Sequence, residues 1–446
     1  MKQFSFSKIK GIALLLLFLC LGQVFCLSAS AVNASAFPLP SVSGASSVYL
    51  YHYESDQVLY KHSGLKQVAP ASTVKIMTGL LALDYLGERM GEFVTLTNEM
   101  LKGVEGFRIQ LEPEMTVSIR DLLYGAICAG GNDAAQALAL ICCGSVEEFV
   151  AQMNQKAKIL GCTDTHFTNP TGLDDSQMYT TLDDVIRISM AAIQNSDFLT
   201  IASTAQYVIA TESKDLTLYN RNAMISSFSA TGYQNRYVKG LNAGMTDRGG
   251  YCTVAYAEHG GNSFLCVVMG AIESDGVILS YDIANTLIHH VIESYSYQQI
   301  LKKGDIICTQ FVDYSLPKGT EAQGRVDCVI DRDLFGFLPR DISEKDLTYK
   351  TYFHHPSLSA PLREGTVVGG VDICYGDKIL ASAKLLAKES VEANGILLAL
   401  ATMKEITLSR ASLLFLFSFI ILSGLYVLLF ERRRIERIAP KKRSRR

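Results

Sequence analysis

The chain has no Trp and no Cys-x-x-Cys, His-Glu-x-x-His, Gly-x-Gly-x-x-Gly or phosphate-loop pattern in its 446 residues. The missing tryptophan excludes nothing. The missing metal patterns leave the histidines without a ligand set: His289-His290 and His354-His355 are adjacent pairs whose side chains diverge on a helix or a strand, as ordinary surface or boundary residues do. The missing glycine-rich loops remove dinucleotide and nucleotide-phosphate binding. No cofactor and no metal is implied. Internal repeats and low-complexity tracts are absent as well. Asp174-Asp175 and Asp183-Asp184 read as turn and cap carboxylates, not as a glycosidase pair.

Cysteine usage excludes a disulfide framework. Of eleven cysteines, Cys20 and Cys26 fall in the N-terminal apolar segment, and the odd number left over cannot pair completely within the chain. Several sit in apolar runs (Ala126-Ile127-Cys128, Leu265-Cys266-Val267), where cysteine behaves as a small core residue. The net charge of −3 hides an asymmetry, because Lys2, Lys8 and Lys10 at one end and the run from Arg432 to Arg446 at the other mask an acidic middle. An acidic middle repels phosphates, so no nucleic-acid partner is expected.

Both ends read as targeting segments. Residues 1–36 combine a basic start, an apolar run from Ile12 to Leu21 and two small-residue cleavage sites, Ala29-Ser30-Ala31 and Ala34-Ser35-Ala36, the pattern of a signal peptide. Phe25 before Cys26 argues against lipidation there. Residues 411–430 are twenty apolar or small residues without a charge. At ~1.5 Å per residue they match a ~30 Å hydrocarbon core. The basic tail, 431–446, follows at once, so the positive-inside rule places it in the cytoplasm and the preceding chain outside.

Between the ends the texture changes once. Residues 48–54 read as a strand and 72–87 as a helix capped by Ser72, with Ile76, Leu80, Leu83 and Leu86 near helical spacing. Helices are expected from Ile119, interrupted near Gly130-Gly131, then from Asp133, over 145–160 and over 279–298. The apolar runs 251–257 and 264–272, joined by His259-Gly260-Gly261-Asn262, predict a hairpin. From about 300 short β-like pieces predominate (306–314, 325–330, 346–353, 365–375, 378–387), which suggests a small all-β domain. The expected division is a catalytic domain at 38–297, a β-sandwich-like domain at 298–390, a stalk at 391–410 and the membrane helix.

Ser72-Thr73-Val74-Lys75 carries chemistry. On a helix, residues three apart are neighbours. A serine at a helix start sits where free N–H groups favour developing negative charge, and a lysine one turn on can take its proton once desolvation or a nearby cation lowers its pKa. The spacing alone is weak, since Ser5-Phe6-Ser7-Lys8 repeats it by chance, and by itself it favours a capping serine beside a surface lysine.

The context adds more. The stretch 70–83 (PASTVKIMTGLLAL), followed in order by 122–140, 160–175, 238–257 and 360–392, resembles the low-molecular-weight penicillin-binding proteins, the serine-type D-alanyl-D-alanine carboxypeptidases. The resemblance covers about residues 38–395. It implies an α/β (α+β) penicillin-recognising serine transferase-like domain with an antiparallel sheet and flanking helices, plus the small β domain. It implies Ser72 as the acylated nucleophile, Lys75 as its base and Asn132 as a substrate-positioning residue. The second family motif, normally Ser-x-Asn, is Gly130-Gly131-Asn132 here, so the relay hydroxyl is missing. The third, normally Lys-Thr-Gly, is Asn242-Ala243-Gly244, so the lysine and threonine that hold the substrate carboxylate are missing. Gly244 still permits close backbone approach, and the oxyanion hole would use the N–H groups of Ser72 and Met245. Lys239, three residues along a strand from Asn242, faces the other way. With Asn242 in place of a cation, Lys75 is expected to hold its proton more tightly. The implied partners are a peptidoglycan pentapeptide ending in D-Ala-D-Ala, β-lactams, and the bilayer. Two readings stand: an altered carboxypeptidase, or an impaired homologue that binds peptidoglycan or a wall protein without turnover.

Overall fold

The computed structural model describes residues 39–63, 67–211, 214–316, 324–376, 378–408 and 410–438. The expected leader at 1–36 and the last part of the basic tail lie outside the described residues. The chain divides into two compact units. The first ends at Gln298 and takes in Gly336–Ile342, and the second comprises Gln299–Phe335 and the chain from Ser343.

The first unit is built on a five-stranded antiparallel sheet. Its strands are β1 (Ser47–His52), β2 (Gln57–Ser63), β3 (Val238–Thr246), β4 (Gly250–His259) and β5 (Asn262–Ala271), in the order β2-β1-β5-β4-β3. The apolar runs in β4 and β5 are buried on both faces, which is why they read as continuous and not alternating. The predicted hairpin joins them: His259 opposes Asn262, and Gly260 and Gly261 both take positive φ (58° and 77°), as a two-residue turn between twisted strands requires.

Helices cover this sheet. The first, α1 (Val74–Leu86), is apolar almost all round, and Ile76, Met77, Leu80, Leu81, Leu83 and Leu86 are all buried. The interruption expected near Gly130-Gly131 is present: α2 (Ile119–Leu123) continues as a π-helical turn (Tyr124–Cys128), and α3 (Asn132–Cys143) starts after the two glycines. Next come α4 (Val146–Ile159), α5 (Leu182–Gln194) and α6 (Ser196–Ser203), and α7 (Leu279–Ser294) packs on β4 and β5. The helix expected over 279–298 stops early because Tyr295–Leu301 is a strand, where alternating tyrosines suit a pleated surface.

The second unit is the expected all-β domain. Its strands are β6 (Ile306–Asp313), β7 (Gly324–Ile330), β8 (Thr348–Phe353), β9 (Leu358–Ser359), β10 (Val367–Tyr375) and β11 (Lys378–Ala387). They form one sheet in the order β8-β10-β11-β7-β6-β9, antiparallel except for β6–β9. The stretch expected to be a stalk contains a helix, α8 (Gly395–Leu408). The apolar run follows in α9 (Arg410–Ile438), whose window Leu414–Glu431 is long and apolar enough to cross a membrane and is not buried.

Met77 sits in the centre of α1 with no exposure. Met77→Ala removes its packing and is expected to destabilise the first unit by about 2–5 kcal/mol, measurable as a lowered unfolding midpoint with the second unit's transition unmoved.

Candidate active site

The loop-to-helix junction at Ser72 is tight. A single 3₁₀ turn, Ala71–Thr73, feeds α1. The cap positions fall on Pro70 and Thr73, and Thr73 Oγ1 donates to Pro70 O at 2.5 Å, so Ser72 is not the capping residue that its place in the sequence suggested. Ala71 takes φ +49°, a conformation that costs a non-glycine residue energy and recurs at functional sites. Gly172 lies against this turn so closely that a Cβ there would fall 2.0 Å from Ala71 O.

Lys75 is buried, with 2% exposure, and its Nζ donates to Thr171 O at 2.6 Å. The acceptor is aimed by a local turn. Asn169 Oδ1 accepts from Thr171 N (3.1 Å), Thr171 Oγ1 (2.9 Å) and Gly172 N (2.8 Å), while Thr78 Oγ1 on α1 donates to Pro170 O at 2.7 Å. The turn Asn169-Pro170-Thr171-Gly172 therefore seats the base. Among the described residues Lys75 forms no ion pair. Burial, then the Arg221 cation, lowers its pKa to about 7 against an opposing pull from Asp133. Against the expectation drawn from Asn242, what works against the Lys75 proton is burial first and the Arg221 cation, which lies outside the third motif, second.

Arg221 was not singled out from the sequence. It lies between two buried asparagines, which hold it in place. Asn220 Nδ2 donates to Ala202 O (2.8 Å) and Thr204 O (2.9 Å), Asn220 Oδ1 accepts from Asn222 N (2.9 Å), and Arg221 N donates to Cys128 O (2.9 Å). Its guanidinium lies 4.2 Å from the centre of the Phe107 ring. Gly130, at φ +73°, faces the Arg221 stem: a Cβ there would meet Arg221 Cβ and Cγ at 3.5 Å.

Asn132 and Asp133 begin α3 and pin the loop that carries Phe107. Asn132 N donates to Phe107 O (2.8 Å) and Asn132 Nδ2 to Glu105 O (2.8 Å). The Asp133 carboxylate accepts from Ile109 N and Leu111 N, each at 3.1 Å, and from Ala134 N at 3.0 Å. No hydrogen bond joins Asn132 to Lys75 among the described residues; the lysine is held by Thr171 O and the asparagine amide by Glu105 O.

The β3 segment lies where the resemblance put it. Gly244 opposes the nucleophile so closely that a Cβ would fall 2.6 Å from Ser72 Oγ. Asn242 is 6% exposed, and its Oδ1 is buried without a hydrogen-bond partner. It points to the same face as Gly244, two residues along the strand. Lys239 is exposed. Ala243, Gly244 and the exposed Met245 line a cavity of about 220 Å³ together with Arg221, Ser229 and Tyr281. As the outer strand of the sheet, β3 offers unpaired backbone groups to an extended peptide.

A serine one helical turn before a buried lysine, an arginine lining the adjoining cavity and an open strand edge are the ingredients of a serine acyl-transfer site. The relatives agree. Residues 33–273 match the D-alanyl-D-alanine carboxypeptidase family and residues 295–393 the penicillin-binding protein 5 C-terminal domain. D-alanyl-D-alanine carboxypeptidase DacC of Escherichia coli is 30% identical over 363 residues (78% of this chain, 84% of that protein). D-alanyl-D-alanine carboxypeptidase DacF of Bacillus subtilis is 27% identical over 366 residues (79% and 87%). Among solved structures, penicillin-binding protein 5 of Haemophilus influenzae superposes with a TM-score of 0.58 at 26% identity, covering 80% of this chain and 100% of that one. The carboxypeptidase DacD of Francisella tularensis, at 20% identity, shares the fold with a TM-score of 0.64 over 83% of this chain and 100% of its own. The chain belongs to the D-alanyl-D-alanine carboxypeptidase family and is a serine-type enzyme of the cell wall; these relatives do not favour the binding-module alternative.

Because the base must be unprotonated to accept the serine proton, kcat/KM is expected to rise with pH through about 7 and level off above it. Arg221→Gln removes the neighbouring cation, so the acid limb is expected to move to higher pH, with a loss of about ten- to a hundredfold in kcat/KM at neutral pH. A pH–rate series on a D-Ala-D-Ala peptide reads both, and an unshifted limb would remove Arg221 from the site.

Proposed function

We propose that Ser72 is the nucleophile, Lys75 its base, and Arg221 the cation that stands in for the missing third-motif lysine. The observation that carries this reading is the burial of Lys75 beside Arg221, with its amine held by the Thr171 carbonyl. A stem peptide ending in D-Ala-D-Ala would lie along the free edge of β3. Lys75 Nζ takes the Ser72 hydroxyl proton as Oγ bonds to the penultimate D-Ala carbonyl carbon. The oxyanion that forms is held by the N–H groups of Ser72 and Met245. Its collapse breaks the C–N bond, and the leaving D-Ala amine takes the proton back from Lys75. Water, deprotonated by the same amine, then releases the acyl group and frees Ser72.

The departures from the family pattern acquire roles in this scheme. Gly130 supplies no relay hydroxyl, so the proton passes directly between Lys75 and the amine. Asn242 and Ala243 supply no charge or hydroxyl to the substrate's terminal carboxylate, and Arg221, across the same cavity, pairs with it. Asn132 holds the Phe107 loop in place and keeps the cleft shaped, while its Oδ1 receives the substrate amide. Asn242, Ala243, Gly244 and Met245 form the wall along which the substrate lies.

The same reading assigns 1–36 as a removed signal peptide, 38–297 as the catalytic domain, 298–390 as a spacer, 391–410 as a juxtamembrane segment, and 411–430 as a single membrane span with 431–446 in the cytoplasm. The exposed apolar window Leu414–Glu431 and the basic residues after it support that arrangement.

Intact-mass measurement after exposure to a fluorescent penicillin tests the site. The expected result is one covalent adduct, mapped to Ser72, absent in Ser72→Ala, with release of D-Ala from a pentapeptide by the unmodified chain alone. No adduct and no D-Ala release would leave a peptidoglycan-binding module.

A further inference from the structure

Nine cysteines of the described residues are free, and two of them stand face to face. In the second unit, β6 runs antiparallel to β7 with Cys308 directly opposite Cys328, followed by Thr309 opposite Asp327, Gln310 opposite Val326 and Phe311 opposite Arg325. The pairs alternate between the two faces of the sheet. On one face Thr309 Oγ1 donates to Asp327 Oδ1 at 2.8 Å and the Arg325 guanidinium lies 4.6 Å from the centre of the Phe311 ring. On the other, Cys308 and Cys328 share a side with Gln310, Val326 and Val312, the last two buried.

Directly opposed residues of an antiparallel pair have Cα atoms ~4.5–5.5 Å apart, within the ~4.4–6.8 Å span that a disulfide bridges without backbone movement. The Cys328 thiol donates to Val326 O at 4.0 Å. Burial, and then the Cys308 thiol beside it, push the Cys328 thiol up to about 12. Cys328 is fully buried while Cys308 is half-buried, so Cys308 is the more open of the two to solvent. No other two cysteines of the described residues are paired in a strand register: Cys266 opposes Leu50 and Ala255, and Cys374 opposes Thr348 and Ile379.

We propose that Cys308 and Cys328 form a thiol–disulfide exchange site that accepts a small-molecule disulfide and closes into a cross-strand bond between β6 and β7. In the first step the Cys308 thiolate attacks one sulfur of the small disulfide, breaking its S–S bond and expelling one small thiolate. In the second the Cys328 thiolate attacks the Cys308 sulfur of the mixed disulfide and expels the other. Two protein thiols and one small disulfide become one protein disulfide and two small thiols, and the two protein protons end on the leaving thiolates. Cys308 is the attacking residue because it is the more accessible one, and Cys328 the resolving one because it lies directly opposite in the strand register. The bond constrains the unfolded second unit, which raises its resistance to unfolding. The site is independent of Ser72. Its occupation in the cell follows the redox state of the compartment that holds the second unit, which the proposed topology places outside the cytoplasm.

The test uses the full chain in detergent. The protein is exposed to oxidised glutathione, blocked with N-ethylmaleimide under denaturing conditions, digested and analysed by mass spectrometry. The expected result is a linked pair of peptides carrying Cys308 and Cys328, lost on treatment with dithiothreitol, with the other cysteines recovered as maleimide adducts. Thermal unfolding of the second unit is expected to shift up by several degrees on oxidation and to return on reduction. In Cys308→Ser the linked pair and the shift both disappear. In Cys328→Ser glutathione is expected to remain on Cys308 as a mixed disulfide, which identifies the order of attack. Recovery of both residues as maleimide adducts after oxidation, or linkage of either to a different cysteine, overturns the proposal. Penicillin labelling of Ser72 in the same samples reads the active site separately, so failure of one assignment leaves the other standing.

Discussion

The active site rests on one buried amine. Placing an ammonium in a protein interior is unfavourable, and a pKa brought from 10.5 to about 7 corresponds to a shift of about 5 kcal/mol toward the neutral form relative to a lysine in water. The unfolded chain would hold a proton on Lys75 that the folded chain lacks between about pH 7 and 10.5, so the contribution of this residue to stability rises with pH through that window. The fold tolerates the amine because one good acceptor, Thr171 O, meets it, and because the surrounding helix is packed well enough to offset the strain. A lysine left in water keeps its proton and has no use as a base, so in the proposed mechanism burial is what lets Lys75 take the Ser72 proton.

Everything near the amine arranges charge around it. Arg221 pushes its proton off and Asp133 pulls in the other direction. Both are tied to the same loop: Asp133 binds the backbone of Ile109 and Leu111, and Arg221 stacks on Phe107. Loop and charges are one construction, so displacing the loop would alter both. The third-motif lysine of the family would sit on the strand. In this chain the strand carries a neutral Asn242, and the cation arrives from the segment after the 215–219 strand. In the proposed scheme the electrostatic requirement is met by a residue in a different place, because Coulombic effects depend on distance and screening and not on chain position.

Several parts of this were legible beforehand. The strand at the N-terminus, the glycine-turned hairpin, the break at Gly130-Gly131 and the β-rich second half follow from apolar periodicity and turn chemistry, which are local properties. Gly244 was readable as a close-approach position, and its backbone does lie against Ser72. The capping role given to Ser72 was wrong by one residue: a 3₁₀ turn precedes the helix, and nothing in the local spacing distinguishes the two. The end of the helix at Ser294 was missed because Tyr-Ser-Tyr fits either periodicity over so short a run. The Asn169–Gly172 turn was readable as a turn, but its service to Lys75 was not, since Lys75 and Thr171 are 96 residues apart in the chain.

By itself the sequence determined the ingredients: a serine and a lysine one helical turn apart, a glycine-bearing edge strand, an acidic middle between basic ends and an apolar run followed by positive charge. These are set by neighbours within a few residues, where sterics and periodicity act. Only the tertiary structure decided that Lys75 is buried on Thr171 O, that the charge of Arg221 reaches it, that Asn132 braces a loop and leaves the lysine to another partner, and that Cys308 stands opposite Cys328. Each joins segments far apart in the chain, and burial and Coulombic coupling exist only once those segments are packed together.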